Sequence, residues 1–239
     1  MITNSRTFDF CRARGRKGMS LIKYRKKRNF KASHEPPGDT KKRTHKSLLY
    51  VVQKHRASQL HYDFRLEFNG VLLSWAVPKG PSLDPSVKRL AMQVEDHPVE
   101  YANFEGVIPE GEYGGGTVMV WDTGSWLSEQ EEVAAALTKG DLKFTLRGKK
   151  LRGSWVLVRT RGFGRSSGKS WLLIKHRDRH ASKIDITREQ PKSVLTKRLL
   201  ADIARAEGGD VSRAATGDPM PSKDSPRAAG LGSRASRKV

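Results

Sequence analysis

A chain of 239 residues with 46 Lys and Arg against 25 Asp and Glu carries a formal charge of +21, and its mean hydropathy is -0.64. This length supports one domain with one sizeable core, and the single cysteine, Cys11, excludes a disulfide framework. No apolar run approaches the roughly 18 residues of a membrane span, and the N-terminus lacks the apolar core of a secretory signal. We therefore expect a cytoplasmic protein without a membrane partner.

The positive charge is concentrated towards the two ends of the chain. Lys and Arg exceed Asp and Glu by 12 over residues 1–49 and by 5 over residues 188–239, but by only 4 over residues 50–187. Such an excess is generally used to neutralise phosphates, so we expect a polyanionic partner. The nearly balanced middle of the chain is expected to be the folded part.

Composition also sets the expected domain boundaries. Residues 1–18 have no periodic pattern and are predicted to be a disordered extension, followed by one domain over residues 19–187. From residue 188 small and basic residues dominate and aromatic residues vanish, which predicts a disordered basic tail with at most a short helix. The dense basic run at residues 24–30 is expected to be a flexible arm rather than a structured phosphate clamp.

The first strong pattern in chain order is QKHRASQLHYDFRLEFNG, residues 53–70. With a period of two, one side of the predicted strand is apolar: Leu60, Tyr62, Phe64, Leu66 and Phe68. The other side is polar: His61, Asp63, Arg65 and Glu67. Asn69-Gly70 is the dipeptide that a two-residue hairpin turn prefers, and VLLSWAV is expected to run back alongside.

The rest of the chain predicts more strands and one helix. A strand at residues 89–95 places Leu90, Met92 and Val94 on one face, and His97-Pro98 ends it. Ser128 and Glu131 form a capping box for a helix that Gly140 stops. DLKFTLRG, GSWVLVRT and SWLLIKH are three further strands. The fold class is therefore predicted to be all-β, an antiparallel β-barrel of about eight strands with one short helix and disordered basic tails.

The polar side of the strand at residues 60–68 has the residue types of a metal site. His61 and Asp63 are two apart and point the same way, and His55 on the preceding strand is placed to supply a third ligand. Two imidazoles and a carboxylate suit Mn, Fe or Zn. Arg65 follows on the same face, and because a cation is no metal ligand, its expected partner is a bound anion such as phosphate.

Three other interpretations of this pattern stay open. The outward residues are also typical of the solvated face of an antiparallel sheet, which binds nothing. A His-x-Asp pair with a distal histidine is also the facial triad of Fe(II) oxygenases on β-barrels. The third is a nucleic-acid-binding accessory protein with a vestigial site, in which the basic arms do the binding.

Separated motifs in order along the chain carry a family resemblance: QKHRASQLHYDFRLEFNGVLLSWAVPKGPS, RLAMQVEDHPVEYANFEGVIPEGEYGGGTV and WLLIKHRD. Together they resemble the 3′-phosphoesterase domain of bacterial ATP-dependent DNA ligase D, the end-healing module of nonhomologous end joining. The resemblance runs from about residue 19 to residue 186 and covers neither tail. It implies a compact β-barrel with a basic groove.

The resemblance also implies a reaction and a cofactor. The enzyme would remove a 3′-terminal ribonucleoside to leave a 3′-phosphate, and then remove that phosphate to leave a 3′-hydroxyl. The implied cofactor is Mn²⁺ or another divalent transition metal. Residue by residue, the resemblance assigns the metal to the cluster noted above: His55, His61 and Asp63.

Other positions of the family pattern map onto this sequence as well. The resemblance assigns the scissile phosphate to Arg65 and His97, with an essential tyrosine at Tyr101. It implies supporting positions in the substrate groove: Arg28, Glu35, Gln53, Lys79, Arg89 and Glu95. Asn29 departs from the pattern, which usually has an acidic residue there, and we expect this to weaken ribonucleoside removal more than phosphate removal.

The implied partners are DNA 3′ ends, such as primer-templates with terminal ribonucleotides. Because the sequence shows no ligase or polymerase segment, those activities are expected on separate chains, together with an end-binding protein. The expected location is the cytoplasm, on the nucleoid.

Overall fold

The structure, a computed structural model, describes residues 21–38, 47–160 and 168–219. Its strands within these ranges are Leu48–Arg56 (β1), Leu60–Phe68 (β2), Val71–Val77 (β3), Arg89–Gln93 (β4), His97–Pro98 (β5), Gly106–Ile108 (β6), Gly116–Ser128 (β7), Asp141–Gly148 (β8), Arg152–Arg159 (β9) and Ser170–Lys175 (β10). Its helices there are Ile22–Lys26 (α1), the 3₁₀-helix Val99–Asn103, Val133–Lys139 (α2), Ile186–Glu189 (α3), Leu200–Ala206 (α4) and Val211–Ala215 (α5). The predicted extension at residues 1–18, which contains Cys11, and residues 220–239 lie outside the described residues.

Eight of these strands close into an antiparallel barrel. They pair in the order β1, β2, β3, β4, β10, β9, β8 and β7, and β7 pairs back with β1. Closure leaves no sheet edge between these strands with unpaired backbone groups. The prediction of an antiparallel β-barrel of about eight strands is therefore confirmed.

The hairpin of β2 and β3 forms as its turn dipeptide predicts. Asn69 and Gly70 have φ angles of 51° and 81°, the positive values that a two-residue turn with right-handed strand twist needs. Phe68 pairs with Val71 across the turn. The apolar row of β2 faces the barrel interior, where Phe64 and Leu66 are fully buried in the core.

The apolar row of β4, Leu90 and Met92, points away from the barrel core, whereas the apolar row of β2 points into it. Ala91 pairs with Trp171 and is completely buried, whereas Leu90 is 46% exposed. The contacts of the interior row with Trp171 account for this: Ala91 lies opposite Trp171, and Gln93 of the same row accepts from the indole N–H at 3.2 Å. The indole rings of Trp75 and Trp171 meet edge to face with centroids 5.9 Å apart, and the register places Ala91, a small residue, in the interior row beside them.

Residues 186–218 fold against the barrel, so the prediction of a disordered tail from residue 188 is wrong for this segment. Leu200 and Ile203 of α4 and Ala214 of α5 are buried in the same core cluster as the barrel interior. The carboxylate of Asp218 accepts hydrogen bonds from the backbone N–H groups of Leu200 and Ala201 at 3.0 and 2.9 Å. Spaced apolar residues bury one face here despite the polar composition.

The helix prediction is right about the end of α2 and wrong about its start. Gly140 ends the helix with φ 82°, as predicted. The helix begins at Val133, and the Ser128 side chain instead bonds Gln130 within the turn that follows β7. The structure also has further short helices, so one helix is too few. No helix in the described ranges is long and apolar enough to cross a membrane.

A second apolar layer covers part of the outside of β1, β3 and β7. The fully buried Tyr24 from α1 packs with Val51, Leu72 and Tyr101 in a cluster separate from the barrel interior. The hydroxyl of Tyr24 donates to the Pro36 carbonyl at 2.7 Å. The basic segment at residues 24–30 is therefore folded onto the barrel, and the expectation of a flexible arm is wrong, because one aromatic residue anchors it.

Candidate metal and phosphate site

The three predicted metal ligands lie together on the outer face of β1 and β2. His55 pairs with His61 across the two strands, and Asp63 lies two residues further along β2. The imidazole centroids are 4.8 Å apart, and one ligand atom from each of the three residues lies within 4.8 Å of the others. The cross-strand register thus gathers residues that are six and two positions apart in the chain.

Backbone carbonyls fix the tautomer of both histidines. Nε2 of His55 lies 2.8 Å from the carbonyl oxygen of Gly114, and Nδ1 of His61 lies 3.0 Å from that of Gln59. A carbonyl oxygen can only accept, so each of these nitrogens carries the proton. The opposite nitrogens keep their lone pairs, and both face Oδ2 of Asp63 at 3.7 Å. Such second contacts are typical of metal-binding histidines.

The three residues fit a divalent transition metal. Donor atoms that share an ion at about 2.1 Å lie roughly 3 to 4 Å apart, close to the separations seen here. Burial alone would raise the pKa of the Asp63 carboxyl, but Arg65 and the two imidazoles outweigh it and hold that pKa well below its usual range. Burial lowers the pKa of His61, partly offset by Asp63. A carboxylate and neutral imidazoles are the protonation states that bind metal.

Arg65 joins the metal cluster to the residues beside it. Its NH2 lies 3.0 Å from Oδ2 of Asp63, and its Nε donates to Oε1 of Gln53 at 2.9 Å. Its NH1 donates to the Ser74 hydroxyl at 2.8 Å and lies 2.8 Å from Nδ1 of His97. The guanidinium is almost completely buried. Its orientation is therefore fixed by side chains from four strands, β1, β2, β3 and β5.

His97 lies between two arginines and has too few lone pairs for them. Nε2 is 3.0 Å from NH2 of Arg28, while Nδ1 is near Arg65 and 2.9 Å from the Glu95 carbonyl. A neutral imidazole has one lone pair, so either tautomer leaves one arginine N–H without an acceptor at this ring. Burial first, and then Arg65 and Arg28, lower the pKa of His97 well below its usual value. The pocket therefore has surplus donors that an anion would satisfy.

The predicted pair of Arg28 and Glu35 is present, and Glu95 extends it. Nε of Arg28 donates to Glu35 at 2.9 Å, and NH1 donates to Glu95 at 3.1 Å. The other oxygen of Glu95 accepts from Nζ of Lys27 at 3.0 Å. Burial would lower the pKa of Arg28, but Glu35 outweighs it and raises that pKa. These contacts hold Arg28 in place against His97.

Tyr101 and Gln53 support the same cluster. The Tyr101 ring lies 4.9 Å from the His97 ring and 5.1 Å from the guanidinium carbon of Arg65. Burial raises the pKa of the Tyr101 phenol well above its usual value, and Glu35 adds to this. Nε2 of Gln53 donates to the Tyr101 carbonyl at 2.9 Å, and so links the 3₁₀-helix to Arg65.

Lys79 and Arg89 are the two predicted positions that stay apart from this cluster. Lys79 is exposed in the turn after β3, and Arg89 begins β4 in the row that faces the barrel interior. In the described part of the chain neither side chain forms an ion pair or hydrogen bond with the cluster, and Nε of Arg89 is buried without a partner. Their role in the groove stays a prediction.

Sequence reasoning missed four contributors. The Ser74 hydroxyl accepts a hydrogen bond from Arg65, and Lys27 donates one to Glu95. The Gly114 carbonyl orients His55, and Tyr113 contacts Lys27. Gly114 belongs to the glycine-rich turn GEYGGG. A backbone carbonyl leaves no signal in the side-chain pattern, so its contact with His55 could not be predicted.

Comparisons with known proteins agree with this geometry. Residues 53–159 match the family described as DNA Ligase D 3′-phosphoesterase domain. The multifunctional non-homologous end joining protein LigD of Pseudomonas aeruginosa is 52% identical over 184 residues, 75% of this chain and 22% of that protein. LigD of Mycobacterium tuberculosis, described as a multifunctional non-homologous end joining DNA repair protein, is 40% identical over 164 residues, 69% of this chain and 21% of that protein.

The chain thus spans about a fifth of the length of the curated relatives it matches. The matched residues include the metal cluster, Arg65, His97 and Tyr101. Through this region the chain belongs to the DNA ligase D 3′-phosphoesterase domain family.

Proposed function

We propose that this chain is a Mn²⁺-dependent phosphoesterase that heals 3′ ends of nucleic acid in nonhomologous end joining. It removes a 3′-terminal ribonucleoside and then the 3′-phosphate, leaving a 3′-hydroxyl. The observation that carries the proposal is the contact of Arg65 with both Asp63 and His97, at 3.0 and 2.8 Å. This contact joins a set of metal ligands to a pocket with surplus hydrogen-bond donors.

The side chains divide the work on a bound phosphate. Held by His55, His61 and Asp63, a divalent ion would withdraw charge from a phosphate oxygen. Arg65 and Arg28 supply N–H groups fixed in a buried setting, where they stabilise the charge that builds as the leaving group departs. The arginine N–H that has no acceptor at the His97 ring supports this role, because it is free to bond a phosphate oxygen.

His97 is suited to bind rather than to protonate. Its pKa is lowered by burial and by the two arginines, so the ring is neutral in the free protein. A neutral ring has one N–H, which in the free protein lies against the Glu95 carbonyl at 2.9 Å, so a bound phosphate would have to displace that contact to receive it. His97 is therefore proposed to bond a phosphate oxygen and not to act as the acid that protonates the leaving oxygen.

The proposed partners are DNA 3′ ends, a ligase and polymerase, and an end-binding protein, acting in the cytoplasm on the nucleoid. The formal charge of +21 supports a polyanionic substrate. The similar LigD proteins are described as non-homologous end joining proteins.

The test uses metal-stripped protein and two primer-templates. One ends in a single ribonucleotide and the other in a 3′-phosphate. Added Mn²⁺ should produce a 3′-hydroxyl end from both, and EDTA should abolish both reactions. An accessory protein with a vestigial site would bind both DNAs and convert neither, which would contradict the proposal.

A further inference from the structure

Tyr113 is an exposed aromatic side chain at the edge of the metal and phosphate site. Its side chain is 48% exposed, and among the described residues it is the one exposed aromatic residue. The other aromatic residues of the described ranges pack at least partly into the two apolar clusters. A single exposed aromatic side chain is ordinary on a protein surface, so the place of Tyr113 beside the site, rather than its exposure, is what indicates a function.

The chain around Tyr113 is fixed to the metal cluster. The carbonyl of the next residue, Gly114, accepts from Nε2 of His55 at 2.8 Å. Gly114 has φ 83°, a backbone conformation that suits glycine and lets the turn approach the imidazole. A Cβ atom at this position would lie 3.7 Å from Cε1 of His55. The ring therefore projects from a turn that touches a metal ligand.

The phenol of Tyr113 is also tied to the phosphate pocket. Its hydroxyl accepts from Nζ of Lys27 at 3.0 Å, and this ammonium also lies 4.3 Å from the ring centroid. Lys27 also donates to Glu95, which accepts from Arg28 as well. Arg28 in turn contacts His97. The hydrogen bond that Lys27 donates to Tyr113 is the first cause of the raised pKa of Lys27. The guanidinium carbon of Arg28 lies 5.5 Å from the same ring centroid, so two cations lie beside a ring that is still half exposed.

An exposed ring beside fixed cations matches the chemistry of single-stranded nucleic acid. Bases stack on aromatic faces with little sequence preference, and neighbouring cations neutralise the backbone. A substrate whose terminal phosphate occupies the pocket of Arg65 and His97 carries its last nucleoside only a few bonds away. That base is the part of the substrate closest to a ring at the rim of the site.

We propose that Tyr113 is the stacking platform for the terminal nucleobase of a single-stranded 3′ end, with Lys27 binding the adjacent backbone. The inference rests on the proposed function for the identity of the substrate. It adds a specificity-determining residue, because a phosphate ester without a base would gain nothing from the ring. Tyr113 is a positioning residue that orients the end for reaction.

The experiment measures binding rather than turnover. A short 5′-labelled DNA with a 3′-phosphate is compared with the same DNA whose terminal nucleotide is abasic, in EDTA, by fluorescence anisotropy. The proteins are wild type, Tyr113→Ala, Tyr113→Phe and the control Leu127→Ala, which truncates another exposed side chain. Thermal unfolding checks that each variant is folded.

Wild type, Leu127→Ala and Tyr113→Phe should bind the DNA with the terminal base about tenfold more tightly than the abasic DNA. In Tyr113→Ala this ratio should fall to near one. The inference is overturned if wild type does not distinguish the two DNAs, if Tyr113→Ala keeps the ratio, or if Tyr113→Phe loses it. Failure of the proposed function is a different result: no conversion of either DNA by wild type with Mn²⁺, whatever the binding ratio.

Discussion

Arg65 lies 3.0 Å from Oδ2 of Asp63, the same carboxylate oxygen that faces the imidazoles of His55 and His61 at 3.7 Å. One oxygen atom thus contacts both the proposed metal ligands and the arginine proposed to bind the phosphate. Because Arg65 is held by Gln53 as well, it cannot move away freely. A phosphate that binds Arg65 is thereby placed beside the metal.

Arg65→Lys should show whether 3′-phosphate removal needs only the positive charge at position 65 or also the hydrogen-bonding geometry of the guanidinium. Lysine keeps the positive charge beside Asp63 but cannot bond Gln53, Ser74 and His97 at once, because its single ammonium lacks the planar fork. We expect the catalytic efficiency for 3′-phosphate removal to fall about a hundredfold or more, with Mn²⁺ affinity close to that of wild type. Steady-state kinetics and Mn²⁺ titration check this. Turnover at the wild-type level would show that charge alone suffices.

Asn29 is predicted to limit ribonucleoside removal, and the structure adds a partner to that prediction. Its Nδ2 donates to Oε1 of Glu112 at 3.2 Å. An aspartate at position 29 would put two carboxylates together and loosen this contact. We therefore expect a selective gain in ribonucleoside removal in Asn29→Asp/Glu112→Gln, larger than in Asn29→Asp alone. Single-turnover rates on both substrates test this, and equal changes on the two would rule out selectivity.

Asp96 should make stability depend on pH. Burial raises its pKa to about 6, Glu95 adds to this, and Lys23 opposes it. The unfolded value is about 3.9, so between about pH 4 and pH 6 the folded state binds more protons and stability falls as pH rises.

Asp96→Asn removes this cost. We expect it to raise the free energy of unfolding by about 1 kcal/mol at pH 8, less than the full shift implies because the carboxyl is partly exposed, and by nothing below pH 4. Denaturant unfolding at both pH values measures it. An equal effect at both would point to lost packing instead.

The C-terminal segment should be part of the stable fold up to residue 219. Nζ of Lys54 lies 3.9 Å from Asp218, which caps α4, and Leu200 is fully buried. Leu200→Ala should cost about 2–5 kcal/mol. A chain ending at residue 187 should melt far below one ending at residue 219. Equal melting temperatures would mean that α4 and α5 contribute no stability.

Residues 220–239 are expected to add only nonspecific DNA affinity. They carry several Lys and Arg residues and few apolar ones. Each phosphate that they neutralise should steepen the logarithmic salt dependence of DNA binding by about 0.9. A chain ending at residue 219 should therefore keep its turnover and show a shallower slope. An unchanged slope would show that this segment does not contact DNA.

The parts of the fold that sequence predicted are those fixed by local pattern. The alternation in β2 and the Asn69-Gly70 turn determine the hairpin and hence the shared face of His61, Asp63 and Arg65. The faces of β4 were not fixed locally, because contacts with Trp171 of another strand decide which side faces the core. Long-range packing of this kind leaves no trace in a short window.

The grouping of the three candidate metal ligands was predicted from the sequence, whereas only some of the residues that support the site were. His55, His61 and Asp63 follow from strand geometry, whereas Lys27 reaches Glu95 from a segment 68 positions away. Low aromatic content suggested disorder after residue 188, yet Leu200, Ile203 and Ala204 bury one face of α4. Composition averages over a segment, but a helix needs only one apolar stripe.

The most direct test of the account is 3′-phosphate release by His61→Ala under single-turnover conditions at saturating Mn²⁺. His61 is the most exposed of the three ligands, so its truncation should leave the fold intact. His180→Ala, which changes a histidine outside the site, is the matched control. We predict release by wild type and by His180→Ala, and a loss of at least about a hundredfold in His61→Ala. Full release by a folded His61→Ala protein would contradict the account.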